Sequence, residues 1–541
     1  MKKLISLILC TLTLTNFAQK NNEPKLVVGI VVDQMRVDYI YRYWDRYSNG
    51  GFKRLVNQGF FFKNAQYDYV PTYTGPGHAS IFTGTTPAVH GIIGNNWFVK
   101  EKNTKIYCTD DPSVKPVGSD SKAGMMSPRN MLTTTIGDEL RLATTNKSKV
   151  FSISLKDRSS ILPGGHNANA AFWYDPQTGN FITSNYYMNE LPQWLSDFNN
   201  LKLSEKYLNL GWNTLYPIET YTQSTADEKD YEEIPQGFNE KHFPYSFDYK
   251  SSKHKFGLIR YTPHGCTITK DVALACIKAE NLGKNEFTDF ISISFSSTDY
   301  IGHCYGPRSI ETEDVYLRLD LELQDLFNQL DKEIGKNKYL VFLTADHGAC
   351  DVPHYLAENR IPAGYIDEDK LEQAVKDFCN EEFDNPLVLS FINNQLYLDE
   401  AYLLQNKISI TAVEERISNF LLSYPGVAEV YPSSALKYGN SAPELFRYRA
   451  QKGYNYVRSG NITLAYLPGW LDYVTLGTTH GTSFNYDTHV PVLFYGTGIP
   501  KGQSFRRISI TDIAPTISTI LNIPYPNGNI GNPLHELFQN K

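Results

Sequence analysis

The sequence predicts an α/β protein with a mostly parallel central sheet flanked by helices, and three features carry that expectation. Residues 25–32 (KLVVGIVV), 287–296 (FTDFISISFS) and 338–344 (KYLVFLT) are short apolar runs rich in β-branched residues. They suit strands buried on both faces, as inside a parallel sheet. Helix-period stretches lie between such runs, above all 309–336. Each run also leads into a carboxylate, Asp33, Asp299 or Asp346, and open α/β sheets bind ligands beyond the carboxyl ends of their strands. At 541 residues the chain exceeds one simple core, so two domains or one large domain with insertions is expected.

Taken in order, residues 1–19 (MKKLISLILCTLTLTNFAQ) combine two lysines, an apolar run too short to span a bilayer and Ala18 near the end. That is the pattern of a secretory signal peptide. Cys10 has no small-residue lipobox before it, which disfavours a lipoprotein. No later run of eighteen apolar residues occurs, so a soluble, periplasmic or secreted mature chain is expected. Its cysteines, Cys108, Cys266, Cys276, Cys304, Cys350 and Cys379, permit up to three disulfides in an exported protein. After the first strand, 39–59 reads as helical and a short strand follows near Phe60. A further strand, 149–155 (KVFSISL), runs into KDRSSILPGG. Residues near 170–283 turn Tyr-, Asn- and Pro-rich with weak periodicity and read as an insertion covering the site; 368–456 reads as a second insertion or subdomain. A strand at 490–495 and a helix at 509–521 close the chain. The formal charge of -7 supplies neither a basic field for nucleic acid nor a polybasic membrane patch.

The candidate chemistry sits at the strand ends and in residues 70–95 (VPTYTGPGHASIFTGTTPAVHGIIGN). Thr74 precedes Gly75, Pro76 and Gly77, a composition suited to the first turn of a helix whose free N–H groups and dipole favour an anion. Thr74 is thus placed to attack an anionic ester; a helix N-cap is the competing role. Asp33 likewise divides between ligand and cap. Lys156 and Arg158 alternate with Asp157, so in an extended segment they point to one side as an anion clamp, against the reading of a solvated turn. Asp299 and His303, at i and i+4, share one face of a helix that Gly302 and Pro307 limit to about a turn. The turn forced by Gly348 can bring Asp346 and His347 toward one ion, against the reading of an incidental pair, and His480 lies between Thr479 and Gly481. Three carboxylates and three imidazoles without cysteine suit Zn²⁺ and are enough for two ions. Two cations about 4 Å apart suit in-line phosphoryl transfer.

The set VVDQMRVDY, YTGPGHASIFTG, HGIIGNNW, SLKDRSSILPGG, STDYIGHCYGP, TADHGA and THGTSFNYDTHVPVLFYG resembles the alkaline phosphatase superfamily, and within it the PafA type of secreted bacterial alkaline phosphatase. The resemblance covers most of the mature chain. It implies an alkaline-phosphatase-like fold with inserted cap segments, two Zn²⁺, and hydrolysis of small phosphate monoesters to alcohol and inorganic phosphate. By this likeness Asp299, His303 and His480 would hold one zinc, and Asp33, Asp346, His347 and Thr74 the other. Thr74 would be the nucleophile that is transiently phosphorylated, Asn95 would bind a non-bridging phosphate oxygen, and Lys156 and Arg158 would grip the remaining charge. Nucleotide pyrophosphatase/phosphodiesterases of the same superfamily share the threonine, the asparagine and the zinc sites but lack the cationic pair, so Lys156 and Arg158 favour a dianionic monoester. Cofactor-independent phosphoglycerate mutases resemble the metal site but use serine and manganese. An exported binding protein without catalysis is the alternative of a different class; the completeness of the site residues stands against it.

Overall fold

A computed structural model describes residues 23–438, 441–442, 445–473 and 475–538; the expected leader, 1–19 with Cys10, lies outside the described residues. Ten strands form the main sheet: β1 (Leu26–Val32), β2 (Phe60–Gln66), β3 (Pro116–Val117), β4 (Val150–Ser154), β5 (Ala170–Asp175), β6 (Asn180–Ser184), β7 (Asp289–Phe295), β8 (Tyr339–Thr344), β9 (His489–Gly496) and β10 (Gly502–Ser509). Their order is β10-β2-β9-β8-β1-β7-β4-β5-β6-β3. The unalternating runs take the centre: β1 pairs in parallel with both β7 and β8, and every residue of these three strands is buried. β9 runs antiparallel to β8 and β2. Its start therefore lies at the edge where β1, β7 and β8 end, which delivers the loop before it to the same place.

Four helices matter for that edge: α1 (Thr74–Thr83), α2 (Asp157–Gly164), α3 (Ser297–Tyr305) and α4 (Ile310–Leu330). α3 is longer than the single turn expected, because Gly302 is accommodated inside it. A Cβ at Gly302 would overlap the Gln34 side-chain amide, so the glycine admits that close approach. Residues 39–59, expected as one helical stretch, form short pieces, Asp38–Arg42, Trp44–Arg46 and Phe52–Gln58. The stretch near 170–283 opens with β5 and β6, which extend the main sheet, and ends with helix His264–Ala279 against it. Within 368–466, helices Glu368–Phe383 and Ile410–Leu422 lie on a four-stranded sheet with its own core, including Leu371, Val375, Ile417 and Leu421. Among the described residues Cys108, Cys266, Cys276, Cys304, Cys350 and Cys379 are all free and buried. Cys266, Cys276 and Cys304 lie unpaired in the main core, Cys108 beside Trp97, Cys350 in a small cluster with Leu471 and Cys379 in the small sheet's core, so sequence count alone overstated the scope for disulfides.

Glu232 and Glu311 form a buried acidic pair near Tyr305 at the end of α3. Glu311, in the first turn of α4, accepts from Tyr245 OH at 2.6 Å, and its second oxygen has no partner; Glu232 also keeps one oxygen unpartnered. Burial pushes both carboxyls up, and the Glu311 charge adds to the shift of Glu232. The folded chain then holds protons that the unfolded chain releases near pH 4.3, so this pair costs stability as pH rises from there toward the folded values. Glu232→Gln is expected to raise Tm more at pH 8 than at pH 5.5. An equal change at both values would show that the pair is already ionised.

Candidate active site

The carboxyl ends of the central strands gather the three expected carboxylates. Asp33 follows β1 directly, its N–H bonded to the Phe295 carbonyl at the end of β7, and Thr298 Oγ1 donates to the Asp33 carbonyl at 2.6 Å. α3 thereby starts against Asp33 and carries Asp299 and His303 over it. Gln34, held at positive φ, joins the set: its backbone N–H lies 3.2 Å from Asp346 Oδ1 and its side-chain amide donates to Asp299 Oδ1 at 2.8 Å. Nothing in the run VVDQM distinguishes Gln34 from an ordinary turn residue.

The three histidines are oriented alike. His303 Nδ1 lies 2.7 Å from the Thr478 carbonyl, His347 Nδ1 2.9 Å from that of Gly348 and His480 Nδ1 2.7 Å from that of Thr72. A carbonyl accepts only, so each Nδ1 carries a proton, and Nε2 is the atom that each ring in its neutral form offers to a cation. His303 Nε2 is 3.2 Å and His480 Nε2 3.7 Å from Asp299 Oδ1; His347 Nε2 is 3.5 Å from both Asp33 Oδ1 and Asp346 Oδ2. The His347 and His480 rings stack at 3.5 Å, and burial together with His347 and His303 pushes His480 well below the usual imidazole range. Asp33 is pushed up, by burial first and by Asp346 and Asp299 next.

Asp299, His303 and His480 converge closely enough to share one ion, as do Asp33, Asp299 and His347. Two buried carboxylate oxygens, Asp33 Oδ1 and Asp346 Oδ2, lack hydrogen-bond partners. Aligned imidazole lone pairs beside orphaned buried carboxylate oxygens fit divalent cations with an N/O preference.

Thr74 is the first residue of α1, with Tyr73 as N-cap, so the capping role does not fall to it. Its Oγ1 lies 3.4 Å from His347 Nε2 and 3.4 Å from Arg158 Nη2. The helix mouth offers less free backbone than its sequence suggests. Gly75 N–H donates to Asn95 Oδ1 at 2.8 Å, Pro76 has no N–H, and Gly77 N–H bonds the Tyr73 carbonyl. The Asn95 contact uses its Oδ1 and leaves its NH₂ available to donate.

Lys156 and Arg158 do not lie on an extended segment. Lys156 caps α2 and Arg158 is in its first turn, yet both reach the site. Lys156 Nζ sits between Asp33 Oδ2 at 2.8 Å and Asp299 Oδ2 at 2.5 Å. Burial works against its charge, and the carboxylates of Asp299 and Asp33 outweigh it and hold the ammonium protonated. Arg158 Nη1 donates to Tyr107 OH at 2.9 Å, and Tyr107 OH in turn donates to Asp157 Oδ1 at 2.5 Å, which fixes the guanidinium beside Thr74. Tyr107 arrives on the hairpin of Asn96–Val99 and Thr104–Tyr107 that follows Asn95. Sequence reading missed it, the only available signal being its place on a strand next to a candidate site residue.

Residues 27–482 match the family described as type I phosphodiesterase / nucleotide pyrophosphatase. Alkaline phosphatase PhoV of Synechococcus elongatus is 46% identical over 97% of this chain and 94% of its own. Alkaline phosphatase PafA of Elizabethkingia meningoseptica is 45% identical over 96% of both chains. A crystal structure of wild-type PafA superimposes with a TM-score of 0.91 at 44% identity, covering 95% of this chain and 99% of that one. A relative from Myroides odoratus named calcium-transporting ATPase is 45% identical over 96% of both chains. Among the described residues of the present chain, no helix is long and apolar enough to cross a membrane.

Proposed function

The chain belongs to the PafA-type alkaline phosphatases of the alkaline phosphatase superfamily, and from that premise we propose that it hydrolyses phosphate monoesters through a phosphothreonine on Thr74 with two zinc ions. Asp299, His303 and His480 would hold one ion, and Asp33, Asp346, His347 and Thr74 the other. Bound zinc would lower the pKa of the Thr74 hydroxyl and neutralise charge on the leaving oxygen.

The remaining work belongs to the chain. Thr74 Oγ forms a bond to phosphorus as the ester P–O bond breaks, and the leaving oxygen takes a proton to give the alcohol. Water then attacks phosphorus, the P–Oγ bond breaks, Thr74 recovers its proton and inorganic phosphate leaves. The Asn95 amide, anchored by Gly75, offers its NH₂ to a non-bridging oxygen. Arg158, anchored by Tyr107, faces the transferred group beside Thr74. Lys156 contributes charge and bridges Asp33 and Asp299. Small phosphate monoesters are the substrates, nucleic acid is not a partner, and residues 1–19 support export to the periplasm or beyond.

The observation that carries the monoester reading over the diesterase reading is the Arg158 guanidinium at 3.4 Å from Thr74 Oγ1. A monoester brings one more negative charge than a diester, and a charge-assisted hydrogen bond is worth roughly 1.5 to 3 kcal/mol. Arg158→Ala is therefore expected to lower monoester kcat/KM by about tenfold to a hundredfold, and diester hydrolysis much less. Lys156→Ala also frees two carboxylates, so it and the double variant are compared at matched zinc occupancy. The test measures aryl monoester and diester on the wild type and all three variants. Equal losses on both substrates, with a wild type that prefers diesters, would return the phosphodiesterase to first place.

A further inference from the structure

His78 lies one turn below Thr74 on α1 and is completely buried. Its Nδ1 is 2.9 Å from the Thr74 carbonyl and 3.2 Å from Asp346 Oδ2, and its Nε2 is 2.8 Å from Ser294 Oγ on β7. Nδ1 thus faces two acceptors and no donor, which requires it to carry the proton; Ser294 Oγ then donates to Nε2. Asp346 Oδ1 receives the Gln34 N–H, and the charged contact of Oδ2 with His78 Nδ1, at 3.2 Å, is closer than its 3.5 Å approach to His347 Nε2. One ring therefore touches both the backbone of the candidate nucleophile and a candidate metal ligand. A buried histidine that only filled space would need a single partner for its N–H.

We propose that His78 is a positioning residue that fixes the Thr74 turn and the Asp346 carboxylate relative to one another, with Ser294 holding its tautomer. This rests on the reading of Thr74 as nucleophile and Asp346 as metal ligand. Partners one step outside a metal site typically carry about a tenfold to hundredfold effect on metal affinity or activity. His78→Leu should accordingly weaken the binding of one zinc equivalent about tenfold to a hundredfold and lower monoester kcat by a similar factor, with little change in KM. His78→Asn places an amide donor near the position of Nδ1 and should recover most of both losses.

The test is a zinc competition titration, read by metal content, together with kcat and KM on an aryl monoester for the wild type, His78→Leu and His78→Asn. Leucine and asparagine variants that fall equally, or leave zinc affinity unchanged, would reduce His78 to packing. The tautomer is read on the unaltered, zinc-loaded enzyme by nitrogen NMR with labelled histidine, which keeps the proposal falsifiable even where the leucine variant does not fold. A proton on Nδ1 is expected, and one on Nε2 alone would overturn the proposal. Failure of the nucleophile reading would show separately, as full activity in Thr74→Ala.

Discussion

Thr74→Ala is expected to lower kcat/KM for an aryl phosphate monoester by several orders of magnitude, while Thr74→Ser keeps much of the wild-type rate. The hydroxyl at this position faces His347 Nε2 and Arg158 Nη2 together, so removing it deletes the oxygen placed to form the covalent intermediate at that helix mouth. Serine retains the oxygen and loses a methyl group. The measurement is steady-state kinetics on variants shown to be folded and to hold the same metal content as the wild type. Equal losses in the alanine and serine variants would make Thr74 a packing residue.

Stripping the metal is expected to reduce activity to background, and added Zn²⁺ to restore it. Without cations the site confines Asp33, Asp299 and Asp346 around a single ammonium, Lys156, and burial with repulsion pushes Asp33 toward its protonated form. The imidazole Nε2 atoms of His303, His347 and His480 lie 3.2 to 3.7 Å from these carboxylates. Because those nitrogens bind metal only when unprotonated, affinity and activity should also fall at acid pH, first through His303, which Asp299 holds above the usual imidazole range against burial, and last through His480, which is held well below it. Dialysis against a strong chelator, with metal content verified as nil, is the check. An unchanged rate would exclude the two-metal reading.

The central sheet and the carboxylates gathered at its edge could be read from sequence for one reason: β1, β7 and β8 are buried on both faces, and their ends stand out as the points where apolar runs break into Asp33, Asp299 and Asp346. His480 was legible only as a lone histidine in a Thr- and Gly-rich loop. Its delivery depends on β9 running against its neighbours, and strand direction leaves no mark on local hydropathy. α2 was hidden because Lys156, Asp157 and Arg158 alternate in charge, as a surface turn would, although Lys156 is buried by partners 123 and 143 residues away. Gln34, His78 and Tyr107 escaped for the same reason: each owes its role to contacts far along the chain. The helix mouth shows the opposite error. Gly75 and Gly77 looked like open anion-binding backbone, and Asn95 and Tyr73 occupy their N–H groups.

The stereochemical course at phosphorus tests the Thr74 phosphoenzyme most directly, and it does so whether or not the intermediate accumulates. A monoester made chiral at phosphorus with oxygen isotopes is turned over in the presence of an acceptor alcohol, and the configuration of the transferred group is determined. Two successive in-line displacements, first by Thr74 and then by the acceptor, predict retention. Inversion would mean a single direct displacement and would contradict a phosphothreonine on the path.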